Sequence, residues 1–380
     1  MAVSFGGFCP VELYFLDLNG MYDILNEYPE GSTGILVADK TLLELIRQAE
    51  MPEKLAKRYD LIWVDHVTPN PTQMNILDSL KKIGSKEPTW MVAVGGGSAI
   101  DQAKGISASY DLFKGKVPSL EDITAMIKQK TYLKNLRPIP ICAIPTTAGT
   151  GSEVTKWATI WDVYKTAKFS IDDEKYYPKT ALIVPQLTYG APKKLILSTG
   201  LDAMSHSMEA FWAKPSNPIV KDVATIAIKR IYENLPLALK NPLDEKARAA
   251  LSTAAALSGV AFSNTRTTAC HSISYPMTMQ FGVDHGFACA VTLVEVAKIN
   301  RSTVPAVDAL IDEVFGGYGQ FQKWMDEVSH DIQPLKLSAF GIDESGIKSL
   351  TKAAFTAGRM DNNPVDITPE QVAGILERCL

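Results

Sequence analysis

Residues 90–104 read Trp-Met-Val-Ala-Val-Gly-Gly-Gly-Ser-Ala-Ile-Asp-Gln-Ala-Lys. An apolar run over Trp90–Val94 stops at Gly95–Gly97, and Ser98–Tyr110 then carries a helical pattern. The same alternation continues outward from this stretch. Toward the N-terminus, Ile35–Asp39 is a short apolar run, followed by a helical pattern over Lys40–Glu50 with Leu42, Leu43 and Ile46 on one side. Leu61–Val64 is a further run that ends in the turn-rich Thr68–Pro71, after which Met74, Leu77, Leu80 and Ile83 recur at helical spacing. Toward the C-terminus, Pro140–Ile144 is closed by Pro145 and by the small-residue stretch Thr146–Ser152. Strands that alternate with helices argue for a parallel sheet covered on both faces.

Past about Pro185 the character changes. Leu201–Ala213, Pro218–Leu239, Asp244–Ser263 and Thr268–Met279 are helix-periodic and mostly rich in alanine, and the style continues through Val304–Phe315 and Pro369–Cys379. In the last of these, Thr368 suits the N-cap and Pro369 the first helical position. The expected division is an α/β domain over 1–188 and an all-helical domain over 189–380, with ligands bound in the cleft between them.

The 380 residues carry 38 Lys plus Arg against 42 Asp plus Glu, a net charge of −4. This balance gives no general attraction for nucleic acid or anionic membrane, so neither is an expected partner. Apolar runs such as Ile139–Ile144 are broken by proline and too short to span a bilayer. Met1 to Phe8 lacks the basic and apolar regions of a secretory signal. The five cysteines (Cys9, Cys142, Cys270, Cys289, Cys379) form no C-x-x-C pair and read as reduced packing residues of a cytoplasmic protein.

Glycines between a strand and a helix let the backbone approach a phosphate, and the helix N-terminus adds free N–H groups and a favourable dipole. Gly96, Gly97 and Ser98 are therefore candidate pyrophosphate contacts, with Asp101 and Lys104 following in the same helix. The spacing matches neither G-x-G-x-x-G nor G-x-x-x-x-G-K-[ST]. A second hydroxyl-rich loop, with Thr146, Thr147, Thr150 and Ser152 as candidate contacts, makes a dinucleotide a better fit than a lone nucleotide. Asp39, at the end of the first run, can accept from an adenosine ribose or cap the following helix. Asn70, inside Pro-Asn-Pro, can bind cofactor or form an Asx turn.

Asp202 and His206, four apart on a helical segment, project from one face. His271 and His285 follow, fourteen residues apart. One carboxylate and three imidazoles suit Fe(II), Zn or another first-row divalent ion, whereas calcium would want more oxygen.

These residues carry a resemblance over nearly the whole chain. Gly-Gly-Gly-Ser-x-x-Asp-x-x-Lys at 95–104, Thr-Thr-Ala-Gly-Thr-Gly-Ser-Glu at 146–153, Gly-Leu-Asp-Ala-Met-Ser-His-Ser-Met-Glu-Ala at 200–210 and the His271–His285 interval resemble the motifs of the iron-containing, or group III, alcohol dehydrogenases. The resemblance implies an N-terminal Rossmann-like domain and a C-terminal helical metal-binding domain (the dehydroquinate synthase-like fold), with NAD(P) and a metal facing across the cleft. It implies Asp202, His206, His271 and His285 as ligands of a divalent metal, usually iron and sometimes zinc. It further implies pyrophosphate on Gly96, Gly97 and Ser98, the nicotinamide side on Thr146 and Thr147, a preference of Asp39 for NAD over NADP, and a homodimer. Many members have a second histidine four residues after the first metal histidine of the later segment, used in proton transfer. Here Tyr275 stands there, readable as a proton relay or as an aromatic packed beside the metal.

The stretch Ser263-Asn264-Thr265-Arg266-Thr267-Thr268 puts a cation and several hydroxyls just before His271, good chemistry for a phosphate-like oxyanion. Continued through Pro276, it resembles the phosphonoacetaldehyde reductase branch, which makes 2-hydroxyethylphosphonate in phosphonate biosynthesis. Lys156 is a candidate second positive charge. The alternative for Arg266 is an ordinary salt-bridging residue. About 100° per residue separates Arg266 from His271 by roughly 140° on a continuous helix, so the anion reading requires a break around Asn264–Thr267. The expected activity is a metal-dependent NAD(P)H aldehyde reductase. Its rivals are a general short-chain alcohol or diol dehydrogenase, a dehydroquinate synthase-like lyase, and a non-catalytic nucleotide-binding protein.

Overall fold

The computed structural model describes residues 8–39, 42–48, 50–164 and 168–380. Lys40 and the N-terminal stretch before Phe8, on which the absence of a secretory signal was read, lie outside them. The chain divides into two compact units, one of Met1–Thr147 with Ser152–Thr188 and one of Ala148–Gly151 with Tyr189–Leu380.

In the first unit β1 (Glu12–Phe15), α1 (Leu18–Leu25), β2 (Thr33–Ala38), α2 (Leu43–Gln48), α3 (Met51–Arg58), β3 (Asp60–Val64), α4 (Gln73–Ile83), β4 (Trp90–Gly95), α5 (Gly97–Ser109), α6 (Leu120–Lys128) and β5 (Ile141–Pro145) follow in order. β6 (Trp157–Trp161), β7 (Lys168–Asp172) and β8 (Thr180–Ile183) complete it. Six strands form one sheet in the order β1-β8-β5-β4-β2-β3, every pairing parallel, while β6 and β7 make a separate antiparallel pair. β4 and β5 are buried at every residue because helices cover both faces. Alternation sorts their side chains. Ile35, Val37, Met91, Ala93, Ile141 and Ala143 enter one core with α4, α5 and α6, and Leu36, Ala38, Val92, Val94, Cys142 and Ile144 enter the other with α1 and α3. The apolar runs of the sequence are β2 to β5, three of the four inner strands and one edge. β1, at the other edge, and β8 beside it were not read as strands, although Leu13–Leu16 and Ala181–Val184 are apolar runs as long as Leu61–Val64.

The second unit is helical: α7 (Lys193–Trp212), α8 (Pro218–Lys240), α9 (Glu245–Ser263), α10 (Ala269–Phe281), α11 (His285–Ala290), α12 (Leu293–Asn300), α13 (Ala306–Phe315), α14 (Tyr318–Ser329), α15 (Glu344–Ala353) and α16 (Pro369–Arg378). The caps are legible. Asn217 accepts from Val220 N–H ahead of Pro218, Asp244 accepts from Ala247 N–H, and Thr368 forms a capping box with Gln371 ahead of Pro369. α7 begins eight residues before Leu201, where the sequence reading started it. Gly200 lowers helix propensity there, yet a Cβ on it would lie 2.7 Å from Leu235 Cδ1, so glycine is what lets α7 approach α8. Among the described residues no helix is long and apolar enough to cross a membrane.

Candidate active site

The chain leaves β2 for β3 on one side and reaches β4 on the other, so the carboxyl ends of β2 and β4 flank a switch point, the usual ligand crevice of such sheets. Asp39 directly follows β2, whose Ala38 pairs with Val94, and Gly95 closes β4. Gly95 has φ +153°, and a Cβ on it would lie 2.7 Å from that of Ala99. Only glycine suits both conditions. Gly96 is the N-cap of α5, with Gly97 and Ser98 in the first turn, whose N–H groups have no intrahelical acceptor. Thr146 N–H donates to Gly95 O at 3.0 Å, and Thr147 Oγ1 lies 3.2 Å from the Cβ position of Gly96. Asn70, at φ +59°, donates its N–H to Ser98 Oγ at 3.2 Å. Asn70, Gly96, Gly97, Ser98, Thr146 and Thr147 are thus gathered at the carboxyl ends of β4 and β5, while Thr150 belongs to the segment grouped with the helical unit.

Asp101 and Ser152 face each other. Ser152 Oγ donates to Asp101 Oδ1 at 2.6 Å, and Thr159 N–H donates to Asp101 Oδ2 at 2.8 Å. The fully buried Lys104 ammonium donates to the carbonyls of Ser152 and Trp157, each at 2.7 Å, and to the hydroxyls of Ser152 and Thr155, each at 3.1 Å. These contacts tie α5 to the 152–159 segment. Burial lowers the Lys104 pKa to about 8, against the raising effect of Asp101 and Glu153, and burial pushes Glu153 up to about 7. Lys156 lies 3.9 Å from Asp172 of β7.

In the second unit α7, α10 and α11 converge. Asp202 Oδ1 lies 3.8 Å from His206 Nδ1, 3.8 Å from His271 Nε2 and 3.9 Å from His285 Nε2. The Nε2 atoms of His206 and His271 are 2.9 Å apart. Donor atoms of Asp202, His271, His285 and Cys289 all lie within 4.8 Å of one another, a group that includes Cys289 and not His206. His206, stacked on Phe262 at 4.1 Å, has a buried Nδ1 with no hydrogen-bond partner. A buried polar atom left in that state is costly, and a cation beside it removes the cost. Burial, and next the neighbouring His271, lowers the His206 pKa well below its usual value, which keeps the ring neutral as ligation requires. One carboxylate, three imidazoles and a thiol fit a first-row divalent ion.

The sequence reading missed Glu209, Cys289 and Arg359. Glu209 Oε2 meets His271 Nδ1, and Oε1 accepts from the Thr268 N–H at 3.0 Å, the Thr268 hydroxyl at 2.8 Å and the His271 N–H at 3.3 Å. Burial raises its pKa to about 7. Its signal was present, since Glu209 is three residues past His206 and seven past Asp202, on the same helix face. Cys289 is four residues past His285 on α11. All five cysteines are free thiols. Arg359 had no local signal, because it comes from the segment between α15 and α16; its Nε donates to Tyr275 Oη at 3.3 Å. The Tyr275 ring lies parallel to that of His285, centroids 6.1 Å apart. The break required between α9 and α10 is present, since residues 264–268 are non-helical and Arg266 is exposed at φ +64°.

Residues 18–185 match the family model described as "Iron-containing alcohol dehydrogenase", and residues 196–380 match "Fe-containing alcohol dehydrogenase family, C-terminal". A 1,3-propanediol dehydrogenase of Citrobacter freundii is 30% identical over 363 residues, covering 92% of this chain and 91% of its own. A phosphonoacetaldehyde reductase of Streptomyces viridochromogenes is 31% identical over 301 residues, 75% of this chain and 74% of its own. Among solved structures, a sulfoacetaldehyde reductase from Bifidobacterium kashiwanohense in complex with NAD+ superimposes with TM-score 0.88 at 27% identity, covering 100% of this chain and 99% of that one.

Proposed function

Because the chain belongs to the iron-containing alcohol dehydrogenase family and is an NAD(P)-dependent oxidoreductase acting on CH–OH donors, we propose that it reduces a short aldehyde bearing a phosphonate, phosphonoacetaldehyde above others, to the alcohol with NADH. The observation that carries this reading is the Arg266-bearing break directly ahead of α10, whose first turn holds His271. It supplies a guanidinium and the Thr267 hydroxyl in the same unit as the metal donors, whereas the Thr265 hydroxyl donates to Arg266 O at 3.0 Å. The relatives above that act on phosphonoacetaldehyde and sulfoacetaldehyde support it, both substrates being aldehydes with an anionic far end.

When bound, the nicotinamide supplies the hydride and the divalent metal, Fe(II) in this reading with Zn as the other candidate, polarises the carbonyl oxygen. The residues divide the remaining work. Asp39 accepts from the adenosine ribose, and the N-terminus of α5 with Asn70, Gly96, Gly97 and Ser98 receives the pyrophosphate. Thr146, Thr147 and Thr150 face the nicotinamide side, with Asp101 and Ser152 holding that loop. Asp202, His206, His271 and His285 hold the metal, and Glu209 fixes the His271 ring. Tyr275 relays the proton through its hydroxyl, Arg266 holds the phosphonate, and Lys156 remains a candidate second charge. In this reading the enzyme acts in the cytoplasm, as its cysteine usage suggests, and as a homodimer, as the family resemblance implies.

A general alcohol or diol dehydrogenase is the second reading, favoured by the 1,3-propanediol dehydrogenase, which matches more of this chain than the phosphonoacetaldehyde reductase does. Initial rates of NADH oxidation on phosphonoacetaldehyde, sulfoacetaldehyde and propanal separate the two. Preference for propanal eliminates the anionic reading, and NADH consumed in step with alcohol formed eliminates a lyase that recycles its cofactor.

A further inference from the structure

The segment between α15 and α16 is fastened to the α9–α10 break. Asn362 Nδ2 donates to Thr265 O at 2.8 Å and Thr267 O at 3.0 Å, and Thr356 N–H donates to Ser272 Oγ at 2.9 Å. Two arginines meet there. A Cβ on Gly358, a residue at φ +73°, would lie 3.3 Å from Arg266 Nη1, so that guanidinium lies against the glycine. The next residue, Arg359, is half-buried and donates from Nη1 to Gly358 O at 2.8 Å and from Nε to Tyr275 Oη at 3.3 Å. Among the described residues Arg359 forms no ion pair with a carboxylate. A guanidinium kept half-buried without a counter-charge is costly unless a ligand supplies one. Arg266 reaches the same place through a left-handed backbone that non-glycine residues seldom adopt and that surrounding structure must hold.

We propose that Arg359 is a substrate-binding residue which, with Arg266, forms a two-arginine clamp for the tetrahedral oxyanion of the aldehyde, Arg359 being the inner arm beside Tyr275. This rests on the anionic-aldehyde reading and extends it. Two fixed cations match a phosphonate dianion more fully than a sulfonate monoanion, and the planar forks of arginine suit bidentate contact with either. The contact with Tyr275 gives Arg359 a second effect, on the proton relay, that any substrate would feel.

The test compares wild type, Arg359→Ala, Arg359→Lys and Arg266→Ala on phosphonoacetaldehyde, sulfoacetaldehyde and propanal, with KM and kcat separated and methylphosphonate as a competitive inhibitor. Arg359→Ala should lower kcat/KM on phosphonoacetaldehyde about a hundredfold, chiefly through KM, and weaken methylphosphonate inhibition in step. The loss on propanal should be at least tenfold smaller and fall in kcat, and Arg359→Lys should recover part of the anion-specific loss. The loss on sulfoacetaldehyde should lie between those two. If wild type prefers the anionic aldehydes but Arg359→Ala loses equally on all three, or leaves methylphosphonate inhibition intact, the clamp is wrong and the proposed function stands. If wild type shows no anionic preference, the proposed function falls and takes the clamp with it. Should Arg359→Ala fail to fold, Arg359→Lys decides, because unchanged methylphosphonate inhibition together with unaltered substrate ratios overturns the clamp.

Discussion

Glu209 of α7 grips His271 of α10 at the ring and at the backbone, with one carboxylate oxygen on Nδ1 and the other on the N–H of His271 and the N–H and hydroxyl of Thr268. The acid thereby fixes the ring and leaves Nε2 directed at Asp202 Oδ1, 3.8 Å away. Glu209→Gln should weaken metal affinity by about 10- to 100-fold while the protein stays folded. Chelator competition monitored by metal content measures this without any assay of turnover. Unchanged affinity would make Glu209 a packing residue.

Replacing His271 or His285 by Ala should remove bound metal and activity and leave a folded protein, since α7, α10 and α11 pack through apolar side chains such as Met204, Ile273 and Phe287. Metal content and circular dichroism on the purified variants check both halves. Full occupancy in His271→Ala would strike that residue from the ligand set.

Asp39 should repel a 2′-phosphate and bond a free 2′-hydroxyl, so NADH should be preferred over NADPH. Asp39→Gly should narrow or reverse the ratio of kcat/KM values. A strong wild-type preference for NADPH contradicts the assignment.

Lys104, buried among four oxygen acceptors, titrates at about 8 rather than near 10.5 because burial penalises its charge. Between these values the unfolded chain holds the proton more firmly than the folded one, so this residue makes stability rise with pH across that window. Lys104→Met should remove that rise and, by leaving the buried carbonyls of Ser152 and Trp157 without their donor, destabilise the first unit at neutral pH by roughly 1–3 kcal/mol for each stranded acceptor. Denaturant titrations at pH 7 and pH 9 of both proteins test the sign. A variant whose stability follows that of wild type at both pH values refutes it.

Apolar runs and caps make much of this architecture legible in the sequence. β2 to β5 announce themselves because β4 and β5 are buried at every residue, and β2 nearly so. β1 was missed although Leu13–Leu16 is apolar; it is an edge strand with three of its four residues exposed, so it lacks the burial that marks β4 and β5. The break between α9 and α10 was legible from angle arithmetic applied to Arg266 and His271. Arg359 was not, because it meets Tyr275 only through chain folding across 84 residues, and no spacing rule reaches that far. Glu209 lay inside a quoted motif, but its task depends on how α10 packs against α7.

In the proposed reaction the substrate carries an anion held at the break before α10. The most direct measurement is kcat/KM with NADH on phosphonoacetaldehyde and on propanal, for wild type and for Arg266→Ala. Wild type should prefer phosphonoacetaldehyde, and the substitution should lower kcat/KM on it by about thirty- to a thousandfold, the loss of roughly 2–4 kcal/mol from a charged hydrogen bond. The loss on propanal should be far smaller. A wild-type preference for propanal, or equal losses on both substrates, would contradict the anionic reading.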